Sequence, residues 1–168
     1  MSYSEDQLDQ IEFKGDKKFL SNMFPCEIIF DSNEGFDIPG ISPTGLLYRS
    51  SEHLYQALKS NNILWHNLLL DKKPEETKTL ARKRLKTLMA NEKDNFLIRE
   101  DWHEIKVSIM ELVLTLKFKQ NQELLILLKK YSGNIEERNC WNDRFWGTVH
   151  GTGENNLGKL LMKVKEIL

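Results

Sequence analysis

The chain has little that would tie it to a metal, a membrane or a polyanion. Cysteine is scarce: Cys26 and Cys140 are the only two, and without a pairing pattern or zinc spacing they fit structural thiols in a reducing compartment. The histidines His53, His66, His103 and His150 show no metal-binding spacing with one another, so no metal site is expected. No apolar run reaches the roughly 18 residues of a membrane span. Residues 1–10 are acidic and polar, unlike a signal peptide, which leads to the expectation of a soluble, cytoplasmic protein. Excess charge of one sign is missing too. With 24 basic and 25 acidic residues the net charge is −1, so any contact with nucleic acid must be local. The dinucleotide fingerprint, the P-loop and the G-x-S-x-G elbow are all absent, and neither cysteine carries a nucleophile motif.

What is present is enough for one substantial core. At 168 residues and 40% hydrophobic, the chain is short for two domains. The expected organisation is a flexible N-terminus over 1–10 and a single domain over 11–168. Ile11–Phe13, Glu27–Phe30 and Leu46–Tyr48 read as short strands, with turn residues over 31–45. From Ser50 onward the periodicity is mostly helical: Ser51–Ser60, Leu64–Leu70, Pro74 to about Met89, His103–Lys119 and Gln122–Tyr131. A further strand is expected at Asn134–Glu137. The basic residues Arg82, Lys83, Arg84 and Lys86 read as a solvated helix face.

Glycine is sparse but clustered. Four of the nine, Gly147, Gly151, Gly153 and Gly158, fall in the tract that starts Asp143-Arg144-Phe145-Trp146 and runs into a helix marked by Leu157, Leu160, Leu161, Val164 and Leu168. Glycine lets backbone approach a ligand, and a helix start offers unpaired N–H groups, so the tract reads as a phosphate cradle. Gly158 within the helix points to a close packing or ligand contact.

Two helices carry polar groups in unusual places. On the helix after Ser50-Ser51, taking Glu52 as zero, Gln56 lies near about 40° and Lys59 near about −20°, opposite Leu54, Ala57 and Leu58. Glu52 and Lys59 stand roughly 10 Å apart along the axis, enough to touch two sides of a sugar-sized ligand, although an ordinary solvent stripe looks the same. On the His103–Lys119 helix, Lys106 and Lys117 sit amid Ile109, Met110 and Val113. A lysine there must snorkel, find a carboxylate or face a polar cavity. Near the start, Phe19-Leu20-Ser21-Asn22-Met23-Phe24-Pro25 combines aromatics with short polar side chains that can stack a base and bond its edge, and turn chemistry explains it equally well.

Together, four blocks resemble the NADAR, or YbiA-like, family across roughly Ile11 to Leu168. They are Phe19–Pro25; Tyr48-Arg49-Ser50-Ser51-Glu52-His53 with Gln56 and Lys59; Arg99-Glu100-Asp101-Trp102 with Lys106 and Met110; and Asp143–Gly147 with Gly153–Met162. The resemblance implies a compact, mostly helical α+β domain with a small N-terminal sheet and no metal or cofactor. It implies an N-glycosidase acting on a phosphorylated ribosyl base: a ribosylamino-pyrimidine phosphate from the riboflavin pathway, or ADP-ribosylated guanine in nucleic acid. A non-catalytic ADP-ribose or nucleotide-binding module is the alternative. No membrane partner is implied, and the oligomeric state stays open.

The family's functional positions fall on Glu52, Lys59, Trp102, Asp143 and Trp146. Cleavage of a ribose–base bond calls for a carboxylate to stabilise the sugar or activate water and an acid to protonate the base, which makes Glu52 and Asp143 the expected pair. Alternatively a lysine attacks sugar C1 and forms a Schiff base, with Lys59 first in line and Lys106 second. Ser21, Asn22, Phe24, Gln56, Trp102, Lys106, Trp146, Gly147, Gly151, Gly153 and Asn155 are the expected substrate contacts. Met23, His103 and Thr148-Val149-His150 depart from the family pattern and bear on base specificity.

Overall fold

A computed structural model of the chain describes residues 13, 15–35, 38–41, 44–87 and 95–168. The residues fall into two compact units, Pro25–Ile109 and a second formed by Met1–Phe24 with Met110–Leu168.

In the first unit, β1 (Ile28–Phe30) and β2 (Leu46–Tyr48) pair antiparallel, with Ile29 opposite Leu47. Alternation decides what faces the core: Ile28, Phe30 and Tyr48 are fully buried, while Ile29 and Leu47 are exposed. Helices α1 (Ser51–Ala57), α2 (Ile63–Leu70) and α3 (Pro74–Arg84) follow. Each has a local start signal. The Ser50 hydroxyl accepts from the His53 N–H, the Asn62 side chain from the Leu64 N–H, and Pro74 opens α3 while Glu76 reaches back to the Lys73 N–H. Leu54, Ala57, Leu58, Trp65 and Leu69 form the fully buried centre.

Helix α3 stops at Arg84, short of the expected Met89, which itself lies outside the described residues. The reason is Leu85. It turns extended (φ −82°, ψ 129°) and is buried in β3 (Leu85–Lys86), which pairs in parallel with β4 (Phe96–Leu97). Helical periodicity did not reveal this pair, because two residues are too few to show alternation. The chain then enters α4 (Trp102–Gln120), whose long span crosses from one unit to the other.

The second unit holds a 3-10 helix (Gly15–Leu20), the later part of α4, α5 (Gln122–Lys130) and α6 (Asn156–Ile167). Val113, Leu114, Leu116, Phe118, Leu128, Ile135, Leu157, Leu160, Leu161 and Val164 supply its core. The strand expected at Ile11–Phe13 lies outside the described residues except for Phe13, which sits in a turn, and residues 1–10 lie outside them too. No strand forms at Asn134–Glu137. There the Asn155 amide substitutes for a neighbouring strand, accepting from the Glu137 N–H at 3.0 Å and donating to the Ile135 carbonyl at 2.9 Å. The α+β, mostly helical architecture with a small early sheet is the one expected from the sequence. Among the described residues no helix is long and apolar enough to cross a membrane.

Candidate active site

The expected site residues divide between the units. Glu52, Gln56, Lys59, Trp102 and Lys106 belong to Pro25–Ile109; Ser21, Asn22, Phe24, Asp143, Trp146, Gly147, Gly151, Gly153 and Asn155 belong to the other.

In the first unit the Ser50-Ser51-Glu52-His53 block separates by task. Ser50 caps α1, and its hydroxyl also lies 2.7 Å from His53 Nδ1, while His53 Nε2 donates to the Lys72 carbonyl at 2.6 Å. These bonds anchor the start of α1, and Glu52 takes no part in them. The polar stripe of α1 is not a solvent face: Glu52 is 6% exposed and Gln56 4%. Gln56 Nε2 donates to Glu52 Oε1 at 2.7 Å, which orients the carboxylate. Gln56 Oε1 and Ser51 Oγ, both buried, have no hydrogen-bond partner among the described residues. Unsatisfied groups of this kind call for a functional explanation.

Lys59 lies beyond the last helical residue, in a turn that keeps helical backbone at Leu58 (φ −67°, ψ −4°) and so preserves the direction expected from the helix. Its ammonium sits 5.4 Å from the centroid of the Tyr55 ring and 5.5 Å from that of Trp102. Burial lowers its pKa to about 8, against the pull of the Glu52 carboxylate and with further lowering by the positive charges of Lys78 and Arg82. Trp102, an expected substrate contact, is 8% exposed and tilted against Tyr55 at 5.1 Å. It is set in place by Arg99, whose guanidinium makes two bonds to Asp101 at 2.6 and 3.0 Å and whose carbonyl accepts from the Trp102 N–H. Lys106 is half-buried.

In the second unit the glycine tract closes on itself. The N–H groups of Asn156 and Leu157, at the start of α6, donate to the Phe145 and Trp146 carbonyls, and those of Glu154 and Asn155 to the Arg144 and Gly147 carbonyls. The expectation of a phosphate cradle is corrected on this point: these donors are already used by the preceding loop. The glycines answer to packing. A Cβ at Gly147 would lie 2.2 Å from the Glu137 carbonyl oxygen, one at Gly153 2.3 Å from that of Gly147, and one at Gly158 2.2 Å from that of Ile135. Gly151, at φ +74° with open space around it, marks a turn.

Asp143 Oδ1 accepts from the Phe145 and Trp146 N–H groups at 3.1 and 2.9 Å, so this carboxylate holds the turn that carries both rings, which meet edge-on at 4.9 Å. Ser21, Asn22 and Phe24 lie in a loop held by Lys117. Fully buried on α4, Lys117 donates to the Phe19 and Ser21 carbonyls at 2.6 and 2.9 Å. Asn22 Nδ2 points at Met110 Sδ, 3.5 Å away.

The NADAR domain model matches residues 11–168. The chain belongs to this family. It is 32% identical over 129 residues to N-glycosidase YbiA of Escherichia coli (strain K12), covering 76% of this chain and 75% of that one. It is also 30% identical to a riboflavin biosynthesis protein of Vibrio vulnificus (strain YJ016), covering 89% of this chain but only 35% of that longer protein. The NMR structure of E. coli YbiA superposes with a TM-score of 0.64 at 26% identity, covering 91% of this chain and 79% of the other.

For this NADAR chain, the sequence did not single out Lys78, and Arg82 read as part of a solvated helix face. They stand one turn apart on α3, which packs against α1, and neither has a hydrogen bond or ion pair among the described residues. Their i, i+4 spacing was a usable signal, but nothing in the sequence said that this face turns toward Lys59.

Proposed function

We propose that the protein is an N-glycosidase that hydrolyses the bond between ribose C1 and a base nitrogen in a phosphorylated ribosyl base. The observation that carries this reading is the buried Glu52 carboxylate, oriented by Gln56, on the same short segment as Lys59, whose amine burial brings to a pKa of about 8. The names of the N-glycosidase YbiA relatives support it.

The bond breaks with positive charge growing on the sugar and negative charge on the leaving base, and each group has a part in this. An amine with a pKa near 8 is partly neutral at physiological pH and can attack C1. The C1–N(base) bond breaks and the base leaves with a proton, which Glu52 relays from the attacking amine. Opening of the C1–O4′ bond, with a proton to O4′, gives an imine. Water adds to it, the C1–Nζ bond breaks, and free sugar and Lys59 are returned. Tyr55 and Trp102 shield the amine from bulk water. Asp143 is given no proton to move in this reading, because its Oδ1 is engaged by the turn it closes. Lys78 and Arg82 take the phosphate end of the substrate, the part first expected at the glycine tract.

Purified protein offered ADP-ribosylated guanine oligonucleotide and ribosylamino-pyrimidine phosphate is expected to release base from at least one. Borohydride added during turnover should trap a sugar adduct that Lys59→Ala abolishes, and kcat/KM should climb to a plateau above pH of about 8. An adduct that survives in the variant would move the amine to Lys106. Tight ADP-ribose binding with no release from either substrate would leave a binding module instead. The double variant Lys78→Gln/Arg82→Gln should raise KM for the phosphorylated substrate roughly tenfold with little change in kcat. An unchanged KM would remove these two residues from the reading.

A further inference from the structure

Lys59 sits in a turn whose backbone is held from outside at three carbonyls. Trp65 Nε1 donates to the Gln56 carbonyl at 3.0 Å, the Arg99 N–H to the Lys59 carbonyl at 2.9 Å, and His66 Nε2 approaches the Ser60 carbonyl at 2.9 Å. Two consecutive residues of α2 thus bracket the lysine with ring N–H groups. Trp65 is a bulky core residue in its own right, but a fully buried imidazole is costly unless its hydrogen bonds are used.

The hydrogen-bond chemistry fixes the state of that imidazole. A carbonyl only accepts, so Nε2 carries the proton, and Nδ1 must accept from the Tyr48 hydroxyl 2.6 Å away. Tyr48 is itself fully buried, and burial pushes its phenol up, so the hydroxyl keeps the proton it donates. The same burial lowers the His66 pKa to about 4 and keeps the ring neutral.

We infer that His66, locked by the Tyr48 hydroxyl as the Nε2–H tautomer, is a positioning residue that fixes the Ser60 carbonyl and thereby holds the Lys59 amine in its desolvated place between Tyr55 and Trp102. The role rests on Lys59 being the working amine proposed above. Besides those two rings, the groups that act on the amine are Glu52 from α1 and Lys78 and Arg82 from α3. If the turn loosens, the amine reaches water and regains proton affinity.

The test reads Lys59 directly, as the pH midpoint of its reductive methylation with formaldehyde, followed by mass spectrometry of the peptide that contains it. His66→Leu, which removes the donor, should move the midpoint up by about one pH unit, toward the ordinary lysine value. It should also cut kcat roughly tenfold with KM nearly unchanged. His66→Gln, which still offers an N–H to Ser60, should keep the wild-type midpoint and most of kcat. A folded His66→Leu protein with an unshifted midpoint overturns the inference. Should that variant fail to fold, His66→Phe takes its place: a ring of similar size stays, the donor to Ser60 is lost, and an unshifted midpoint is again fatal. Methylation needs no turnover, so a shifted midpoint in a protein that releases no base upholds the role of His66 and removes only the proposed activity.

Discussion

Glu52→Gln should lower kcat for base release by about three orders of magnitude, within the range of a lost general acid–base group, while the melting temperature stays level or rises. The two halves of this result have one cause. The Glu52 carboxylate is 6% exposed and accepts a hydrogen bond from a neutral amide, Gln56 Nε2, at 2.7 Å. A buried carboxylate hydrogen-bonded to a neutral amide carries a desolvation cost that a side-chain amide of the same shape does not, and the Lys59 ammonium that it also attracts sheds its proton more readily once the carboxylate is gone. The new amide can still accept from Gln56 through its own oxygen, so the packing is kept and only the proton-handling group is gone. Thermal melting and steady-state kinetics on the same preparation check both halves. A variant that keeps more than about a tenth of wild-type kcat would rule Glu52 out of the chemistry.

The second large effect is on stability. Lys117→Met should destabilise the protein by about 3 kcal/mol, because a side chain of similar length fills the space but leaves the Phe19 and Ser21 carbonyls without their donor. The ammonium's own burial cost is relieved at the same time, which keeps the loss below the sum of two broken charge-assisted bonds. The denaturant midpoint reports it. A change below about 1 kcal/mol would mean that the two carbonyls find other donors and that Lys117 is not what holds this loop.

Much of the fold was legible, and what was legible had local causes. The Ser50 cap, Pro74 at the first position of α3 and the leucine spacing of α6 each depend on residues within a turn or two. Strand β3 and the amide of Asn155 were not legible, because their partners, Phe96 and Ile135 with Glu137, lie about 10 to 20 positions away and no periodicity connects them. The site shows the same division. Glu52, Gln56 and Lys59 were placed on one face by helical geometry, and the family blocks pointed to the same residues. That this face is buried, that Trp102 packs beside Lys59, and that Lys117 holds backbone carbonyls are consequences of packing, and a lone helix carries no sign of them. That the amides at the start of α6 are already used was hidden for a related reason: glycines that admit a ligand and glycines that admit the chain's own carbonyls have the same spelling.

The self-closed tract from Asp143 to Gly158 also bears on how the family is recognised. Gly147, Gly153 and Gly158 sit where a methyl group would strike backbone, and the amides of residues 154–157 are consumed by the loop beside them. A motif under that kind of constraint certifies that a chain has folded in this way. Its glycines therefore report on packing, and two chains can share them and differ in substrate.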